Sequence, residues 1–182
     1  RIYVWDVAAE RVLAVAPESS QHAGRLTCLR LAQPRGDFQS AQSMDLFYTA
    51  ATDGVAKLWD LRCMRQCRAF EGGHVQASQR LRGCLSPCLR WLCMPSEDGG
   101  VCAYDVSSGR ILGSRRCHRD VVCAVDLQPR TGSMASGGFD GIVNFYRAPT
   151  SPASKGNPRG GQAERAATDK LGVREKEMEL PT

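Results

Sequence analysis

The sequence predicts an all-β chain built from repeated four-stranded sheets. Three observations carry that expectation: a motif that recurs, tight-turn signals at fixed places within each copy, and short β-prone runs flanking each turn. The segment DGVAKLWD (Asp53 to Asp60) is echoed by DGGVCAYD (Asp98 to Asp105) and DGIVNFYR (Asp140 to Arg147), and the opening IYVWD ends in the same way. The three Asp-Gly pairs stand 45 and 42 residues apart, and Trp59, Tyr104 and Tyr146 each fall six residues after their Asp. A fixed period of this size is the one expected of four-stranded propeller blades.

Each element follows from local chemistry. Asp-Gly tolerates the positive φ angles of a two-residue hairpin turn whose twist matches its flanking strands, so each pair joins two antiparallel strands. Val55 to Trp59 and Val101 to Tyr104 are the β-prone runs after the turns; Arg11 to Val15, Gln66 to Phe70 and Arg110 to Ser114 read as outer strands. Leu26 to Leu31 and Val121 to Val125 read as inner strands, apolar because they would line the packed centre. The middle copy is the least regular: VQASQRLRGCLSPC, between His74 and Leu89, lacks clean alternation and is interrupted by Gly83 and Pro87, which predicts an extended or distorted loop. The resulting division is the last two strands of a truncated blade (1–16), a first complete blade (17–70), a second, degenerate blade (71–114), a final blade without its outer strand (115–147) and a disordered tail (148–182). About three and a half blades make an unclosed arc with bare strand edges, which invite association. The expected complement is a set of preceding blades in a longer protein.

Over about four fifths of the chain, Arg1 to about Arg147, these residues resemble the WD40 family. In that family a His at the blade entrance, a Ser or Thr on the second strand, the turn Asp and the strand Trp form a buried hydrogen-bond chain. The resemblance implies His22, Thr49, Asp53 and Trp59 in the first complete blade, and His118, Ser136, Asp140 and Tyr146, in place of Trp, in the last. The middle blade offers His74, Asp98 and Tyr104, but Met94 sits where the hydroxyl belongs, so the chain is broken or shorter there. The family also commonly completes its last blade with a strand from the N-terminus of the same domain, which fits a final repeat ending at Tyr146.

Three histidines, two of them accompanied by both an Asp and a hydroxyl, could be mistaken for parts of a hydrolase triad. Their recurrence once per repeat argues for a structural clamp, because a catalytic site needs one constellation and not a copy in every blade. No phosphate-cradling Gly-rich loop, nucleophile elbow or metal motif is present, so no enzyme, no catalytic residue and no cofactor are expected. The composition, 42% apolar and 24% charged, is that of a globular chain, and no apolar stretch approaches the roughly 20 residues of a membrane-spanning helix. The nine cysteines (28, 63, 67, 84, 88, 93, 102, 117 and 123) are an odd number without secretory context, which predicts free thiols in a reducing intracellular compartment, cytoplasm or nucleus. Cys63/Cys67 and Cys84/Cys88, each with three intervening residues, could suggest zinc, but structural zinc sites usually show a tighter, repeated spacing with four clear ligands, so free thiols are expected and no metal site.

From Ala148 onward Pro149, Pro152, Pro158 and Gly160-Gly161 interrupt a polar run, the composition of a disordered tail, with room for a short helix near 162–171 that Arg174 to Glu179 could extend. Six basic and five acidic residues there do not make a polybasic arm. The family resemblance favours a protein-interaction scaffold. A finer alternative is carried by FYTAATDGVAKLWDLR (Phe47 to Arg62), which resembles the motif by which many WD-repeat proteins dock, as substrate receptors, on the adaptor of cullin-RING ubiquitin ligases. Trp59 and Asp60 belong to that motif, but Arg62 alone is informative, since other copies have Ala8 and Ser107 there. Arg11, Arg65 and Arg110 each follow an Asp by five residues and so read as turn contacts. Nucleic-acid binding is a weaker alternative: arginines at 62, 65, 68, 80, 82, 115, 116 and 119 favour it, but exposed aromatics are not interleaved with them and the net charge is only +5.

Overall fold

The computed structural model describes residues 1–32 and 45–147 in full and 173–177 as backbone. A two-stranded hairpin, β1 (Tyr3–Asp6) and β2 (Arg11–Val15), is followed by a 3₁₀ turn at Glu18–Ser20 and by three four-stranded sheets. The first sheet runs β3 (Leu26–Leu31), β4 (Leu46–Ala51), β5 (Ala56–Asp60) and β6 (Arg65–Phe70), each antiparallel to its neighbour. The second runs β7 (Cys84–Leu85), β8 (Trp91–Pro95), β9 (Gly100–Asp105) and β10 (Ile111–Arg116) in the same meander. The third contains β11 (Val122–Leu127), β12 (Met134–Gly138), β13 (Val143–Arg147) and β14 (Val173–Glu177). Described strands thus fall at the expected places, and Gly54, Gly99 and Gly141 occupy the positive φ angles that the Asp-Gly turns require.

The final sheet holds a strand that the sequence reading did not expect. Val173–Glu177 pairs with β13 in parallel register, Val143 opposite Val173 and Arg147 opposite Glu177, so this blade has a fourth strand, and the segment read as a helical extension is extended instead. Its physical cause is the outer edge of β13, whose unpaired N–H and C=O groups are a template for any segment that can lie flat against them. The remainder of the tail, 148–172 and 178–182, with the helix expected near 162–171, lies outside the described residues.

The core sits between the sheets and not within any one of them. Side chains alternate along a strand, so a sheet packed on both faces buries successive residues. In β4, Phe47 to Ala51 are all buried. Tyr48, Ala50, Ala56, Leu58 and Phe70 of the first sheet meet Leu92, Met94, Cys102 and Tyr104 of the second. On the opposite face, Phe47 and Trp59 stack with ring centroids 6.1 Å apart and close against Ile2, Ala16 and Met64. Cys84, Cys93 and Val101 of the second sheet likewise meet Val122, Val125, Leu127, Met134 and Tyr146 of the third.

Two inner strands depart from expectation. β7 is only two residues long, as the interrupted sequence around Gly83 and Pro87 foreshadows. Its neighbour Arg82 bridges in parallel to Ala124, donating its N–H to the Cys123 carbonyl and accepting from the N–H of Val125, which fastens the second sheet directly to the third. β3 is less covered than expected of an inner strand: Leu29 and Leu31 are both 56% exposed among the described residues.

Replacing Leu92 by Ala in the intact protein is expected to destabilise it by about 2 to 5 kcal/mol, since a fully buried side chain between two sheets leaves a cavity. Ile111→Ala, on an exposed outer strand, should cost less than about 0.5 kcal/mol. Equal urea midpoints for the two variants would contradict a core placed between blades.

Candidate functional site

In the first blade four side chains from four parts of the chain meet. The β4–β5 turn supplies Asp53, β4 supplies Thr49, β5 supplies Trp59, and the segment before β3 supplies His22. His22 Nδ1 lies 3.1 Å from Asp53 Oδ2, and Nε2 lies 2.8 Å from Thr49 Oγ1, which also accepts the Trp59 indole N–H at 2.8 Å. The directions are self-consistent: Trp59 donates to Thr49, Thr49 donates to Nε2, and Nδ1–H donates to the carboxylate. The backbone N–H groups of Ala23, Gly24 and Val55 also point at Asp53. Burial opposes the charge on Asp53, yet the Val55 N–H, the His22 ring and the Gly24 N–H together hold its carboxyl below the usual value. Burial lowers the pKa of His22 despite the attraction of Asp53, so the pair is a carboxylate beside a neutral ring at pH 7.

The last blade repeats the arrangement. His118 Nδ1 is 3.0 Å from Asp140 Oδ1, and Nε2 is 2.8 Å from Ser136 Oγ, which lies 3.5 Å from the Tyr146 hydroxyl. Asn144 adds a contact the sequence reading missed, donating to the Cys117 carbonyl at 3.0 Å beside the same ring. Only its position, two residues before Tyr146, marks it in the sequence. Asp140 is held below the usual carboxylate value against the opposition of burial, chiefly by His118 and the N–H groups of Arg119 and Ile142.

The middle blade is built differently. Asp98 accepts only the N–H of Gly100 among the described bonds and does not reach His74. With Met94 in the hydroxyl position, His74 turns its Nδ1 to the Tyr104 hydroxyl at 2.7 Å, which also accepts from the Gly73 N–H at 3.0 Å. Its Nε2 is buried without a partner, and burial pushes the ring's pKa down to about 4. The anchoring carboxylate is instead Glu97, missed from the sequence although it directly precedes the turn Asp. One Glu97 oxygen accepts the N–H groups of Ala77, Ser78 and Gln79 at 2.7 to 2.8 Å, while Ser96 Oγ takes that of Val75.

The remaining candidate, Arg62, stands on the β5–β6 turn with its side chain 59% exposed. It grips Asp60 with both ends of its guanidinium, Nε to Oδ1 at 3.1 Å and Nη2 to Oδ2 at 2.7 Å, and approaches Asp45 at 3.6 Å. This hydrogen bonding to Arg62 holds the Asp60 carboxyl below its ordinary value. Asp105, at the equivalent turn, is held at about 2 by the hydroxyl of Ser107 and the N–H and hydroxyl of Ser108. Arg68, which is not one of the repeated arginines, crosses to the next blade, donating to the Ser107 carbonyl at 2.6 Å. Among the described residues no three His, Cys, Asp or Glu side chains gather where a metal could sit, and no helix is long and apolar enough to cross a membrane.

Known proteins agree with this architecture. The family description "WD domain, G-beta repeat" matches residues 109–147. The U3 small nucleolar RNA-associated protein 21 of Saccharomyces cerevisiae is 28% identical over 95 residues, which are 50% of this chain and 10% of that protein. Among solved structures, the WD40 repeats of RRP9 and the structure of U3-55K each superpose with a TM-score of 0.58 at 17% identity, covering 70% of this chain and 36% and 37% of theirs. The chain therefore spans a small part of the relatives it matches.

Two outcomes test the clamps. In the intact protein Asp53→Ala should cost about 2 to 4 kcal/mol by stranding three N–H groups and a buried imidazole, whereas Asp98→Ala, which loses one N–H partner, should cost about 1 kcal/mol or less; equal losses in urea unfolding would refute the difference between blades. A folded-state pKa for His74 near 4, against an ordinary 6.5, means that the unfolded chain takes up its proton first. That contribution to stability is complete above about pH 6.5 and falls as pH drops from 6.5 to about 4. His74→Phe should flatten unfolding free energy over that window, and an unchanged slope would count against it.

Proposed function

We infer, from the WD repeat matched in its last blade and the blade architecture it shares with WD40-repeat structures, that this chain is a protein-binding scaffold, with no catalysis of its own, and that its specificity lies on the blade edges and connecting loops. The observation that carries this reading is the use made of its His and Asp side chains. In the first and last blades both imidazole nitrogens and the facing carboxylate are committed to intrablade hydrogen bonds, so the groups that could have acted as a base and its orienting acid are consumed in holding loops to strands. What is left outside is a rigid surface, and rigid repeat surfaces bind by presenting preorganised shape.

The partners are proteins within the cell. The likeness to a relative named for association with a small nucleolar RNA supports a place in a nuclear ribonucleoprotein assembly, with this chain contacting its protein components. Nucleic acid itself is disfavoured by the modest charge excess. Affinity purification of the intact protein, with and without nuclease, decides between them. Partners that survive nuclease are the expected result, and their complete loss would favour the nucleic-acid alternative.

A second reading, docking to a cullin-RING adaptor through Trp59, Asp60 and Arg62, is favoured by one observation: Arg62 is held in a fixed pose on an exposed turn by its own Asp60. Trp59 itself is fully buried and would act only by shaping that turn. Arg62→Ala should then remove the adaptor from the purified material while leaving the melting temperature within about 1 °C, given that exposed ion pairs contribute little. Adaptor recovery that does not change sinks this reading.

A further inference from the structure

At the end of the sheets opposite the Asp-Gly turns, the β7–β8 turn of the second blade and the β11–β12 turn of the third enclose an apolar cavity of about 100 Å³. Pro87, Cys88 and Trp91 line it from one blade, Leu127 and Pro129 from the other, and among the described residues no charged side chain lines it. Both blades that form it have all four strands, so it is not an uncovered edge of the arc.

Each wall is fixed by its own hydrogen bonds. Ser86, buried in the first, donates its N–H to the Trp91 carbonyl at 2.8 Å, and its hydroxyl accepts the Trp91 N–H at 2.9 Å. The turn between them closes through the Leu89 N–H on the Ser86 carbonyl, with Leu89 at a φ of 55°, a conformation a leucine rarely adopts. In the second wall the Gln128 carbonyl accepts the Gly132 N–H at 3.0 Å, and its side-chain oxygen accepts the N–H and hydroxyl of Thr131 at 2.8 and 2.6 Å. A concavity held in this way needs no ordering when something enters it.

Size and charge indicate what enters. An apolar cavity of about 150 Å³ holds a benzene ring, so one of about 100 Å³ suits a branched aliphatic side chain and is too small for an aromatic one. The exposed Arg90 lies over the Trp91 ring, 5.8 Å from its centroid and within cation–π range, and the exposed Arg130 adjoins Pro129 on the opposite turn. The carboxylate nearest in the chain, Asp126, accepts the Leu127 N–H at 3.0 Å and lines an adjoining cleft with Arg30 and Tyr48. Two cations beside an uncharged apolar cavity favour an acidic segment with one aliphatic residue.

We propose that this cavity docks an acidic segment of a protein partner, a leucine of which fills it against Trp91 and Leu127 while flanking Asp or Glu residues face Arg90 and Arg130. The proposal rests on the protein-binding reading above and names the chemistry of one partner segment.

The test uses the intact protein and a fluorescein-labelled, end-blocked heptapeptide, Gly-Asp-Asp-Leu-Glu-Glu-Gly, followed by fluorescence anisotropy. Saturable binding is expected, weakened about fivefold or more by alanine in place of the peptide's leucine, by Arg130→Glu, and by Cys88→Phe, which fills the cavity from an exposed position. Arg62→Ala should leave it unchanged. Melting curves of the cavity variants that overlay the parent's show that the loss is local; if Cys88→Phe melts lower, the alanine peptide and the alkylation pattern decide. That pattern is read by mass spectrometry after iodoacetamide: saturating peptide should slow alkylation of Cys88 and not that of the exposed Cys63. The proposal is overturned by no saturation up to about 1 mM peptide, by equal binding of the alanine peptide, by a well-folded Cys88→Phe that binds like the parent, by equal alkylation changes at the two cysteines, or by displacement with an oligouridylate. Nuclease-resistant partners recovered alongside any of those results would leave the scaffold reading intact and remove only this site.

Discussion

An imidazole held between a carboxylate and a hydroxyl is the interaction on which the geometry of the first and last blades rests. It joins parts of the chain that the hydrogen-bond ladder does not reach: the loop that enters the blade, the second strand and the turn between second and third strands. In the first blade this spans 31 residues from His22 to Asp53, and in the last 22 residues from His118 to Asp140. The ladder fixes how strands lie within a sheet, but the clamp fixes where the incoming loop sits against that sheet, and with it the direction in which the previous blade departs. Because the ring and its partners are buried, removing one member leaves the others unsatisfied, and the arrangement persists as a whole or not at all.

The second constraint is that no sheet has a core of its own. Each presents apolar residues on both faces, and the clusters consist of residues from two adjacent sheets. Small side chains make this workable: Ala50, Ala51 and Ala56 are fully buried around Tyr48 and Trp59, and larger residues there would push neighbouring sheets apart. Blade position and blade stability are therefore one problem. A loop displaced by a lost clamp shifts a strand, and a shifted strand opens the contact with the next sheet. The direct bridge from Arg82 to β11 shows the second blade using a backbone contact where its inner strand is too short to pack.

Much of this could be read from the sequence because it depends on periodic, local signals. Asp-Gly at intervals of 45 and 42 residues identifies the turns, and an aromatic six residues later places the third strand. The His, hydroxyl and Asp positions of the first and last blades are what the resemblance to the WD40 family implies once the repeat is aligned, and the hydroxyl missing at Met94 signals a broken chain in the middle. What could not be read was the replacement. Glu97 anchors three N–H groups of a loop that has no regular pattern, and the turning of His74 towards Tyr104 follows from side-chain space and not from spacing. β14 was illegible for a related reason: its partner is an edge, and an edge selects by backbone alone, so VREKE carries no pattern that would announce the pairing.

The same reasoning separates structural from functional polar groups. A repeat protein copies its structural residues once per unit, so a polar group present in every blade and satisfied in every blade carries information about folding. The group to ask about is one that occupies a repeated position and has lost its repeated partners. His74 is that residue: it stands where His22 and His118 stand, yet one of its nitrogens meets the aromatic of its own blade and the other meets nothing. Departure from the repeat alone would be drift. Here it is accompanied by a substitute: Glu97 caps the loop that bears His74, one of its oxygens accepting three N–H groups where Asp53 and Asp140 serve the other two blades. The middle blade thus keeps what the clamp does, fixing the loop that enters the blade, while changing the residues that do it, and the ordering cost of that loop is met in folding.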